Sequence, residues 1–192
     1  MSKVGLAERI SLFLQPTFVA IILYALVSFT YLRGKSAWFF FLLSVLFVTL
    51  FPMLLVIWLV RRGKVSDPDL PDRRERFIPY LAICGLYGVL FLLLSFFSAP
   101  LPLLAVTLCY LGVTLAGAFI SLFWKISLHL AGVAGPVTAM VMLVHPWWSV
   151  LYLFLMPLGW ARWYLRKHTL SQIIAGGLLS MGITWGIIAG IL

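Results

Sequence analysis

Seven apolar runs, most of them long enough to cross a bilayer, leave this chain few ways to fold. They cover about residues 10–32, 37–60, 78–97, 103–124, 127–144, 149–161 and 169–192, the sixth being short. A hydrocarbon core about 30 Å thick takes about 20 helical residues to span, so most of the runs are candidate crossings. Of the 192 residues, 64% are hydrophobic and 10% charged, which is more apolar surface than a soluble domain of this size can hide. The expected fold is all-α: a polytopic transmembrane helical bundle of six to seven spans, forming one membrane-embedded domain over residues 1–192.

The breaks between runs have local causes. Residues 1–9, with Lys3, Glu8 and Arg9, read as an interfacial lead-in. The run after them is too long for a signal-peptide core and no small-residue cleavage pattern follows, so a retained helix is expected. Pro16 sits near the start of the first span and Pro52 is expected to kink the second. The one long polar loop, residues 61–77, holds two prolines and three aspartates, and its acids are expected to pair with Arg73, Arg74 and Arg76. Small residues (Ala131, Gly132, Ala134, Gly135, Ala139) and the Gly182, Gly186, Gly190 spacing predict faces where helices approach closely. Cys84 and Cys109 lie inside apolar runs and read as buried structural thiols. His145, beside Pro146, Trp147 and Trp148, reads as interfacial.

Charge placement gives a topology. With seven spans, the N-terminus and the loops after runs two, four and six share one side. Twelve of the fourteen lysines and arginines fall there, and only Arg33 and Lys35 fall opposite. That bias predicts a cytoplasmic basic face on a multi-pass integral membrane protein.

The acids limit the chemistry. All five carboxylates (Glu8, Asp67, Asp69, Asp72 and Glu75) precede residue 76. Paired-carboxylate catalysis inside the bundle is therefore excluded, and an oxygen-ligand metal site would have to come from the 67–75 loop alone. No metal or organic cofactor is expected, and no nucleic-acid partner. Two histidines instead accompany a basic cluster between apolar runs, where ionisable groups mark functional sites. Guanidinium groups bind phosphate oxygens in pairs and stabilise charge on a phosphoryl group in transfer. One neutral imidazole can attack phosphorus and a second can move the leaving-group proton.

The stretch Arg162 to His168, with five residues between, and Ser127-Leu128-His129 one hairpin upstream resemble two signatures of the type 2 phosphatidate phosphatase superfamily, R-x5-H-x3-D and P-S-G-H. The resemblance covers residues 69–172 and implies a membrane lipid phosphate phosphatase working through a phosphohistidine. It implies His168 as nucleophile, His129 as general acid, and Arg162 and Ser127 as phosphate ligands; Lys125 has no counterpart in the four-residue signature, and its position is what makes it a further candidate for phosphate contact. Arg76 best fits the arginine of the first signature, K-x6-R-P, with Asp69 in the lysine position and Arg73 and Arg74 as competitors. Ile126 and Leu128 replace the proline and glycine of the second signature, and Gln172 replaces the orienting aspartate of the third. Gln172 either orients His168 or closes a capping box with Thr169.

The implied partners are a lipid phosphate substrate, phosphatidate or a polyprenyl phosphate, and the surrounding membrane lipids; oligomeric state is left open. Two alternatives use the same residues differently. A carrier for anionic lipid headgroups needs the basic pocket but not the histidines. A magnesium-dependent membrane prenyltransferase would use Asp67, Asp69 and Asp72 and leave both histidines idle.

Overall fold

Prolines and side-chain caps, more than apolar composition, decide where the helices of this chain begin. A computed structural model describes residues 2–192. Helix α1 (Lys3–Phe13) starts at Ser2, whose hydroxyl accepts the Gly5 N–H at 3.2 Å. Pro16 lacks an N–H and its ring would clash with the preceding turn, so Gln15 is extended and a new helix, α2 (Pro16–Tyr31), begins. The run expected as one span from residue 10 is thus broken at its start, and α1 packs against α8 (Leu155–Tyr164).

Helix α3 (Gly34–Val45) leads through a π turn, Leu46–Leu50, into α4 (Phe51–Arg61). The π turn lies immediately before Pro52; widening the ring of hydrogen bonds there accommodates a residue that cannot donate. After the polar loop come α5 (Phe77–Phe96), α6 (Leu101–Ser121) and α7 (Leu128–Leu143). The expected short span at 149–161 is a 3-10 helix, Pro146–Phe154, continued by the ten-residue α8. His145 opens it, its Nδ1 accepting the Trp147 N–H at 3.1 Å. Helix α9 (Leu170–Ile191) ends the chain.

Among the described residues five helical stretches are long and apolar enough to cross a membrane: Lys3–Tyr31, Gly34–Arg61, Arg73–Phe96, Leu101–Ser121 and Leu170–Ile191. Helix α7 is apolar but shorter. Large apolar side chains such as Phe96, Phe123 and Met156 lie more than three-quarters exposed, an outer surface compatible with lipid.

The helix contact that matters for the site is α7 on α9. A Cβ on Gly135 would collide with Ser180 Oγ, and one on Gly176 with the Ser127 carbonyl oxygen. Gly132 is pressed in the same way against Pro16. Gly182, Gly186 and Gly190, expected to form a close-packing face, instead look onto open space. Their four-residue spacing puts them on one face of α9, but the neighbours lie on another.

The polar loop also differs from expectation. In place of acid–arginine pairs, both sets of groups satisfy the backbone. Asp67 and Asp72 accept the N–H groups of Asp69 and Arg74, and Glu75 accepts both the N–H and the hydroxyl of Ser66. Arg73 donates to the carbonyls of Ser121 and Leu122 at the end of α6. Such carbonyls have no partner within their own helix, so an arginine there closes the helix end.

Candidate functional site

The site is built where the N-termini of α7 and α9 meet the C-terminus of α8. Ser127 caps α7, its hydroxyl facing the Leu130 N–H at 3.5 Å, and is fully buried. Thr169 and Gln172 form a reciprocal capping box on α9, the Gln172 side-chain oxygen accepting the Thr169 N–H at 3.1 Å. The Ser127 N–H donates to the Gln172 carbonyl, so the two helix starts are tied together.

The turn between α8 and α9 delivers His168. Arg166 takes a left-handed conformation with φ of 53°, and the N–H groups of Lys167 and His168 both donate back to the Arg162 carbonyl. This folds His168 under the end of α8, where it is 7% exposed. Its Nδ1 is buried with no hydrogen-bond partner. Burial, reinforced by the cations Lys125, Arg162 and Arg76, pushes its pKa down to about 3, against a weaker opposing contact from Gln172. The ring is therefore neutral at ordinary pH, the form with a lone pair to give.

Arg162 and Arg76 are the two buried arginines. Arg162 donates from Nη1 to Ser11 Oγ at 3.0 Å, which ties α8 to α1, and its Nε has no partner. Arg76 bridges two stretches of backbone. Its Nε donates to the Leu70 carbonyl at 2.8 Å and its Nη1 to the Ile126 carbonyl at 3.1 Å. Leu70 is itself left-handed, with φ of 49°, and buried. Lys125 is half-buried beside them, and desolvation with the nearby Arg76, Arg162 and Lys167 charges lowers its pKa. With five N–H groups each, both guanidiniums keep donors beyond these contacts to offer an anion.

Two spaces adjoin this cluster. An open cleft of about 700 Å³ is lined by Lys125, Lys167, His168 and Gln172. A separate cavity of about 280 Å³ is lined by His129, Asp69 and mostly apolar side chains of α2, α5, α6, α7 and α9. The structure therefore brings His168, Lys125 and Gln172 to one surface and puts His129 on another. The charges of Arg162 and Arg76 reach both histidines. Arg73, occupied at the end of α6, lines neither space, and Arg76, Arg162 and Ser127 lie behind the walls of both rather than on them.

Ser11 is the partner the sequence did not announce: nothing in its surroundings on α1 marks it as the residue that holds Arg162. Among the described residues no three His, Cys, Asp or Glu side chains gather as a metal site. Comparison of the chain with protein-family models, curated proteins and solved structures finds no match.

Proposed function

We propose that this chain is an integral-membrane phosphatase that hydrolyses a phosphomonoester or diphosphate carried by a lipid, phosphatidate or a polyprenyl phosphate. The observation that carries the reading is His168: buried, neutral, its Nδ1 unpartnered, beside an open cleft and within the field of Arg162, Arg76 and Lys125. A neutral imidazole facing a cationic anion site is the arrangement needed for attack on phosphorus.

In the first step a His168 ring nitrogen bonds to phosphorus, the bond from phosphorus to the lipid oxygen breaks, and His129 gives that oxygen a proton, which requires the phosphoryl group to bridge the His168 cleft and the His129 cavity. In the second, His129 takes a proton from water, the water oxygen bonds to phosphorus, and the nitrogen–phosphorus bond breaks to free phosphate and His168. Arg162, Arg76 and Lys125 hold the non-bridging oxygens throughout. In this reading α7 and the Pro146–Tyr164 segment complete the six to seven crossings. The basic face is cytoplasmic, following the uneven distribution of lysine and arginine.

The test is phosphate release from phosphatidate and polyprenyl phosphates by the purified protein in detergent, with and without chelator. Release in both conditions is expected. Loss in chelator that magnesium restores would transfer the chemistry to the Asp67–Asp72 loop. One observation favours the headgroup-carrier alternative: residue 172 is an uncharged glutamine whose oxygen accepts the Thr169 N–H, so no carboxylate orients His168. Binding of lipid phosphate without any release would select the carrier.

A further inference from the structure

The cavity at His129 is unlike the cleft at His168. It runs beside α7 from His129 to Ala139, about 15 Å at 1.5 Å per residue, into the middle of the bundle. Beyond the polar end at Asp69 and His129, its walls combine Leu23, Ile83, Val106 and Val113 with the hydroxyl-bearing Tyr87 and Tyr110. Its volume of about 280 Å³ lies just below the roughly 300–1,000 Å³ range of small-molecule sites. The Arg162 and Arg76 charges reach His129 at its polar end.

We propose that this cavity holds a single hydrocarbon chain of the lipid phosphate, so that one-chain substrates are taken in preference to two-chain ones. The inference rests on the phosphatase reading for the identity of the headgroup. A chain leaving the bilayer for this cavity gains no hydrophobic free energy, because lipid tails are at least as apolar as the cavity wall. Selection therefore comes from shape. A narrow slot accepts one chain and fixes the phosphate beside the cationic groups; a second chain must stay outside and pull the headgroup off line. Restricting the reacting group in this way is what turns binding into rate.

The test uses a single-chain alkyl phosphate carrying a diazirine at the chain end, irradiated with the full-length protein in nanodiscs and mapped by mass spectrometry. Label is expected on cavity residues such as Tyr87, Val106 and Tyr110. Val113→Trp, which fills the cavity from α6, should reduce that label roughly tenfold or more. Ala139→Leu fills it from α7 and should give the same result where the tryptophan variant does not fold. Label on the outward-facing Phe96, Phe123 or Met156 would overturn the proposal, as would equal cavity labelling by a two-chain phosphatidate carrying the same diazirine. Cavity labelling without turnover of any phosphate ester would leave the chain site standing and remove the phosphatase reading. Turnover of nitrophenyl phosphate with scattered label would do the reverse.

Discussion

The Ser127 backbone N–H donates to the Gln172 carbonyl across 3.0 Å, joining the first turns of α7 and α9. Only a glycine one turn further along α9 allows this approach, because a Cβ on Gly176 would strike the Ser127 carbonyl. Backbone atoms cannot swing aside as a flexible side chain can. Gly176→Ala should therefore destabilise the protein by about 1–3 kcal/mol, as overpacking typically does. Gly182→Ala, where nothing lies within contact, should be neutral or gain up to about 1 kcal/mol from helix propensity. Denaturant unfolding in detergent measures both; equal effects would mean that α7 and α9 are not in this register.

Gln172 has a second duty to test. Glutamate at the same position preserves the capping box and adds the charge that the third signature would have supplied. Gln172→Glu should keep wild-type stability, raise the His168 pKa above its value of about 3, and increase turnover. Gln172→Ala should lose about 0.5–2 kcal/mol of stability, the usual worth of a cap. Carbon-13 chemical shifts of the His168 ring read the titration directly. An unmoved His168 in the glutamate variant would show that residue 172 does nothing but cap.

Acid should weaken the fold through His168. In the unfolded chain an imidazole takes up its proton near pH 6.5, whereas the folded ring resists until about 3. Between these values the unfolded state binds more protons, so stability rises with pH by up to about 1.4 kcal/mol per unit. Above 6.5 both states are neutral and the contribution is flat. Comparing unfolding of the wild type and His168→Asn from pH 4 to 7 isolates the effect: the asparagine variant should show the shallower dependence. Superimposable curves would place a charged or solvated imidazole at this position.

These contacts show how far a sequence of this kind can be read. Apolar length and prolines locate the helices, because both act locally; the break at Pro16 needs nothing beyond the missing N–H. The pattern Thr169-x-x-Gln172 is equally local, and the capping box forms. What is not legible depends on which residue covers which. Arg76 fits the first signature better than Arg73, but nothing in the sequence shows that Arg73 closes the end of α6 while Arg76 ties Leu70 to Ile126. Those acceptors are backbone carbonyls, which carry no side-chain signature. The spacing of Gly182, Gly186 and Gly190 marks a face, but only the packing of α7 shows that Gly176 is the residue in contact. His129 and His168 resemble paired signatures, and the α7–α9 arrangement alone reveals that they line different spaces.

That separation sharpens the contrast between the two histidines. If His168 is the nucleophile, His168→Ala should abolish the covalent intermediate, since alanine has no lone pair to give phosphorus. His129→Ala should act differently. It removes a proton donor, typically worth about 10²–10⁴-fold, so substrates with poor alkoxide leaving groups should suffer most. Nitrophenyl phosphate, whose leaving group needs little protonation, should retain much more of its rate. Neither change should greatly weaken binding of lipid phosphate, which the proposed mechanism assigns to Arg162, Arg76 and Lys125. Rapid quench with radiolabelled substrate should give an acid-labile, base-stable label on the wild type and on His129→Ala. Label that persists in His168→Ala would move the nucleophile elsewhere, and His129, the other histidine within reach of Arg162 and Arg76, would be the next candidate.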